Sequence, residues 1–152
     1  MGVQQHSTSS GGVAELAMPT WSFTGSGLVV EVLGVYARVR WLTVRRGPVE
    51  AVSVLREGLR EHALDDRDGL LVLRSLLFGR AVTRVLGYLP TDNRCLMRSL
   101  VITAMLARRG VFAKVVIGAR PSPSFAAHAW VEVNGTPLLP GDDASYARFV
   151  EV

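Results

Sequence analysis

Hydrophobic positions first acquire a period at Leu28. Leu28, Val32, Val35, Val39 and Leu42 recur at three- and four-residue steps among arginines, which predicts an amphipathic helix closing near Gly47-Pro48. Pro48 suits the first turn of a second helix, with Val49, Val52, Leu55 and Leu59 inward, Arg56, Glu57, Arg60 and Glu61 outward, and an end near His62. Asp65 or Asp66 can cap a third helix, whose apolar stripe reads Leu70, Leu73, Leu77 and Val85, interrupted by Gly79 and closed by Gly87 and Pro90. Thr91, Asp92 and Asn93 are successive cap candidates before Cys95. The segment that follows stays apolar on most sides as far as Arg108-Arg109-Gly110, the pattern of a central buried helix.

Beyond Gly110 the period changes to two. VFAKVVIG and AHAWVEV read as strands, and Asn134-Gly135 is a hairpin turn that should return Thr136 to Leu139 antiparallel to AHAWVEV. YARFVEV at the end can add one more short strand. Helices followed by a small antiparallel sheet define an α+β domain, with the cysteine-bearing helix packed on the sheet. Residues 1 to about 20, rich in Ser, Gly and Gln, carry no period and are expected to be a disordered tail. Residues 21–152 then form one domain, its helical part about 26–90 and its core about 91–152.

Composition narrows the possibilities. A single cysteine among 152 residues forms no internal disulfide, CxxC pair or zinc ribbon, so a cytoplasmic setting is expected. The N-terminus lacks the basic and apolar regions of a secretory signal, and His6 stands where a myristoylation signal wants Ser or Thr. The apolar stretch from Leu28 to Leu42 contains Glu31, Arg38 and Arg40, which argues against a membrane span. Net charge is +4 and Lys114 is the only lysine, so the positive charge is almost all arginine, a residue suited to carboxylates and phosphates. An acidic peptide or a nucleic acid could each be a partner, nucleic acid being the weaker option because no motif beyond charge appears, and an arginine-rich codon bias alone would also account for the charge. No P-loop or carboxylate cluster appears, so neither a cofactor nor a metal is expected.

Cys95 at a helix start and His128 in a following strand carry the candidate chemistry. The first turn of a helix favours a thiolate through its partial positive charge and offers unpaired N–H groups to an oxyanion, while a nearby histidine can serve as base. Strand parity puts His128, Trp130 and Glu132 on one face and the more core-like Ala127, Ala129, Val131 and Val133 on the other, so His128 and Trp130 should look toward the helix start or a cleft. A third, acidic residue should orient the imidazole. A two-residue Asn134-Gly135 loop puts Gly141 opposite His128 and Asp143 diagonally beside it; a three-residue loop puts Asp142 directly opposite, and Asp142 is preferred, with Asp143 as the alternative. Arg98, one turn beyond Cys95, can contact substrate or clamp an acidic strand residue, and Trp130 can line a substrate groove.

The segments CLMRSLVITAMLARRG, VVIG and FAAHAWVEVNG together resemble the core of the lasso-peptide leader peptidases, the microcin J25-processing family of transglutaminase-like cysteine proteases. The resemblance is dense over residues 94–135 and looser over about 28–90. It implies a transglutaminase/papain-like fold and a peptidase that removes the leader from a ribosomally made precursor, with Cys95 as nucleophile and His128 as base. Family members carry the third, acidic residue about where Pro140 stands, a departure that moves the role to Asp142 or Asp143. The chain's length suits the split form of the family, whose implied partners are the precursor peptide, a separate leader-recognition protein and a lasso cyclase. Two other readings remain: an acyl transferase using the same triad, and a non-catalytic scaffold in which YARVRWLTVRR, Tyr36 to Arg46, docks an acidic leader or a partner.

Overall fold

The structure, a computed structural model, describes residues 25–47, 50–51, 53–54, 69–89, 95–121, 124–139 and 146–151. The first helix, α1 (Ser26–Arg46), buries Leu28, Val32, Val35, Val39 and Leu42, the row its spacing predicts, together with Tyr36. It stops at Gly47, whose φ of 84° breaks the helical run while its N–H donates to the Thr43 carbonyl at 3.0 Å. Of the helix expected from Pro48 to His62, residues 50, 51, 53 and 54 are described; all are helical and Ala51 is fully buried, while the rest lies outside the described residues.

The next helix, α2 (Leu70–Gly87), ends at Gly87 as expected but turns a different face inward. Leu70, Leu73 and Leu77 are exposed, and Ser75, Phe78, Gly79, Val82 and Leu86 form the buried row. LLVLRSLLFGRAVTRVLG offers two apolar rows, and the row holding the one aromatic is the one that finds a partner: Phe78 packs in the core with the Arg109 guanidinium 4.2 Å from its ring centroid. Gly79 does not interrupt the packing, since a Cβ there would meet Ile102 at an ordinary 3.9 Å. The cap is Gly69, at φ 67°, rather than Asp65 or Asp66, which lie outside the described residues.

Helix α3 (Cys95–Ala107) is buried at every position from Ser99 to Ala107, the central helix that its apolarity predicts. Its cap candidates Thr91, Asp92 and Asn93 lie outside the described residues. The sheet has order β3-β2-β1-β4, with β1 (Lys114–Arg120), β2 (Ala126–Val133), β3 (Thr136–Pro137) and β4 (Ala147–Glu151), all neighbours antiparallel. Asn134 and Gly135 both take positive φ, 51° and 74°, the two-residue turn that Asn-Gly favours. Val133 pairs with Thr136 and Glu132 with Pro137, and the Leu138 N–H extends the register to the Val131 carbonyl at 2.9 Å. The core lies between the helices and one sheet face, where Val115, Val131 and Val133 join residues of α1, α2 and α3. The described residues are thus three helices and a four-stranded antiparallel sheet, α+β as expected.

Arg109, just past α3, ties the helical layer together. Its guanidinium donates to both Glu31 oxygens on α1, at 2.7 and 3.1 Å, and to the Met105 carbonyl at 3.0 Å, while lying over Phe78 of α2. The hydrogen bond from Arg109, helped by its charge and that of Arg108, holds the Glu31 carboxyl below its ordinary 4.5 against an opposing effect of burial. A carboxyl lowered by folding stabilises the fold above its ordinary value, and that contribution disappears as pH falls through the folded value. Glu31→Gln should therefore cost about 1 kcal/mol at neutral pH, with the difference from the parent vanishing in urea titrations well below pH 4.5.

Candidate active site

The lone cysteine occupies the first described position of α3, half-buried and unpaired to any sulfur. One turn further on, and so on the same side of the helix, Ser99 donates its hydroxyl to the Ala129 carbonyl at 3.1 Å in a buried contact. Carbonyls two apart in a strand point the same way, so the Ala129 carbonyl shares the direction of the Val131 carbonyl, away from β1. Because β3 pairs only with Glu132 and Val133, this margin of β2 has no strand beside it at Ala129 among the described residues. The Ser99 hydroxyl satisfies this carbonyl, which has no partner from β3 among the described residues. It also fixes α3 to β2 at the residue that follows His128, with Cys95 about 6 Å farther along the helix axis.

His128 stands on the other sheet face, with Trp130 and Glu132, as strand parity requires. The Trp130 ring stacks beside it, centroids 6.0 Å apart and planes 18° apart, and Tyr146 tilts toward it at 5.5 Å. His128 is half-buried, whereas Trp130 and Glu132 are only 3% and 4% exposed. A carboxylate this enclosed needs its lone pairs filled. Trp130 Nε1 donates to Oε1 at 2.8 Å, and Arg148 donates to Oε1 at 2.7 Å and to Oε2 at 3.2 Å. Arg148 also donates to Glu151 at 3.2 Å, and that bond, then the Glu132 charge, holds its guanidinium above the ordinary arginine value. The indole beside His128 is thus clamped at its nitrogen by a carboxylate that is itself held by an arginine.

Gly118 makes this arrangement possible. It lies in β1 directly between His128 of β2 and Arg148 of β4, next to a bulge in the β1–β4 pairing. A Cβ there would fall 3.0 Å from two atoms at the tip of the Trp130 ring and 2.9 Å from the Ala147 carbonyl oxygen. The oxygen is backbone and cannot swing away. Gly118→Ala should destabilise the domain by about 1–3 kcal/mol and shift the Trp130 fluorescence, read by thermal melts and emission spectra.

Of the residues that the sequence singles out, Arg98 is half-buried, and its Nε lies buried without a hydrogen-bond partner among the described residues. The acidic strand residue is clamped by Arg148 rather than Arg98. Asp142 and Asp143 lie outside the described residues; the observed two-residue turn is the register that directs attention to Asp143. The sequence identifies Glu132 only as a face-mate of His128 and does not single out Ser99, Tyr146 or Arg148. An available signal was the pair of strand segments HAWVE and YARFVE, each putting opposite charge next to an aromatic at alternate or near-alternate positions. No group of metal-ligating side chains and no helix long and apolar enough to cross a membrane occurs among the described residues.

The described residues thus form an α+β domain in which a cysteine-bearing helix is hydrogen-bonded, one turn past the cysteine, to a histidine-bearing antiparallel sheet. Residues 33–152 match the transglutaminase-like superfamily, and the chain belongs to it. That superfamily includes cysteine peptidases and acyltransferases. No curated protein and no solved structure matches the chain.

Proposed function

We propose that the protein is a cysteine peptidase that cleaves the leader from a ribosomally made lasso-peptide precursor, with Cys95 as nucleophile and His128 as base. The observation that carries the catalytic part is the Ser99 to Ala129 hydrogen bond, which ties the helix turn after Cys95 to the strand residue after His128. On this reading the thiol reaches the imidazole around the margin of β2 beyond its pairing with β3. The lasso-peptide assignment rests on the resemblance of residues 94–135 to the leader peptidases.

The Cys95 thiolate attacks the carbonyl at the leader–core junction, and N–H groups in the first turn of α3 hold the oxyanion. The intermediate collapses to a thioester as the C–N bond breaks, and His128 delivers a proton to the departing amine of the core. Water, deprotonated by His128, hydrolyses the thioester and frees the leader carboxylate. Arg98, half-buried one turn beyond Cys95, contacts the substrate through its guanidinium, and Trp130 backs the histidine. The released core N-terminus passes to a lasso cyclase, while a separate leader-recognition protein delivers the precursor. The reaction needs no cofactor.

The third residue is an aspartate of the pair after the hairpin, and the two-residue turn favours Asp143 over Asp142. Asp143→Asn should lower the rate of leader removal about a hundredfold or more, with Asp142→Asn nearer the parent, in timed digests followed by mass spectrometry. The opposite order would reverse the assignment. The same digests test the reaction. A peptidase yields leader and core whose masses sum to the precursor plus one water, whereas a cross-linked or amidated product with no free leader would make the protein an acyl transferase.

A further inference from the structure

Helix α1 has a second apolar row that the fold does not use. Val30, Leu33, Ala37, Trp41 and Val44 recur at three- and four-residue steps on the side opposite the buried row, and Val30, Trp41 and Val44 are 68%, 55% and 80% exposed. The row is bordered by Arg38 and Arg45 on one side and by Arg40 on the other, with Val29, 41% exposed, on the Arg40 side nearer the helix start. This is the pattern of a helix–helix seam with charged flanks, not of the broad apolar face by which a helix lies in a bilayer. Arg45 already lies over Trp41, 5.6 Å from its ring centroid, extending the seam along its stem. The one acid on α1, Glu31, is committed to Arg109 and Arg108.

Charge decides the occupant. A second copy of α1 would set arginines against arginines, whereas an apolar seam flanked by glutamates or aspartates would meet all three with opposite charge. We propose that the outer face of α1 docks an acidic amphipathic helix supplied by another protein. This inference is independent of the reading of Cys95.

The test uses the full chain and two fluorescein-labelled synthetic helices with leucine seams, one flanked by glutamate and the other by lysine. Fluorescence anisotropy should show the glutamate helix binding, more weakly as salt rises, and the lysine helix failing to bind. Trp41→Ala and Val44→Ala should each weaken binding about tenfold without lowering the melting temperature. Arg38→Glu combined with Arg40→Glu should reverse the preference to the lysine helix, which a loss of fold would not do. Equal binding of both helices, binding of neither, a Trp41-dependent association with phosphatidylserine vesicles instead, or self-association broken by Val44→Glu would each overturn the proposal.

Discussion

Cys95→Ala should lower the rate of leader removal by a factor of about ten thousand or more, and His128→Ala by about a thousand or more, with the fold intact in both. The two losses should not multiply, because a nucleophile without its base and a base without its nucleophile fail at the same step: the double variant should be scarcely slower than Cys95→Ala. Rates come from timed digests of a leader-bearing precursor, and folding from thermal melts. Both side chains are half-buried, and neither belongs to the packed core that joins α3 to the sheet. A large fall in melting temperature for Cys95→Ala would mean a packing role, and unchanged cleavage would dismiss the cysteine mechanism.

Breaking the Glu132–Arg148 clamp should give the largest loss of stability, and an asymmetric one. Arg148→Ala leaves an almost fully buried carboxylate with only the Trp130 N–H to satisfy it, which should make it the most destabilising of the variants. Glu132→Gln keeps an acceptor for the indole and lets the half-exposed Arg148 turn to water or to Glu151, so it should cost about 1 kcal/mol. Adding Glu132→Gln to Arg148→Ala should recover much of the larger loss, since the stranded charge is gone. Urea unfolding of the three variants reads the order directly. Equal losses for the two single variants would show that the carboxylate is better solvated than its 4% exposure implies.

The helices differ in how far their sequence reveals them. In α1 the core row is unbroken, and in α3 most positions are apolar and every one from Ser99 on is buried, so spacing alone identifies both. In α2 two apolar rows compete, and the choice between them depends on where Phe78 meets Arg109 from beyond α3, a contact 31 residues away that no local period encodes. The site divides in the same way. Cys95, His128 and the Asn134-Gly135 turn are local signals, a helix start, a strand face and a two-residue hairpin. The Glu132–Arg148 clamp is not local, because β2 and β4 are not neighbours and meet only across β1, where Gly118 leaves room for the Trp130 ring. The Ser99 anchor also needed the fold, since it joins residues 30 apart in the chain, one on α3 and one on β2.

Because Cys95 is the only cysteine in the chain, the coupling between thiol and imidazole can be read without a substrate. The measurement is the rate at which iodoacetamide alkylates Cys95 at neutral pH, followed by intact mass in the parent and in His128→Ala. A working couple predicts rapid alkylation in the parent and a rate lower by about tenfold or more without His128. Equal rates in the two proteins would contradict the proposal that His128 activates Cys95.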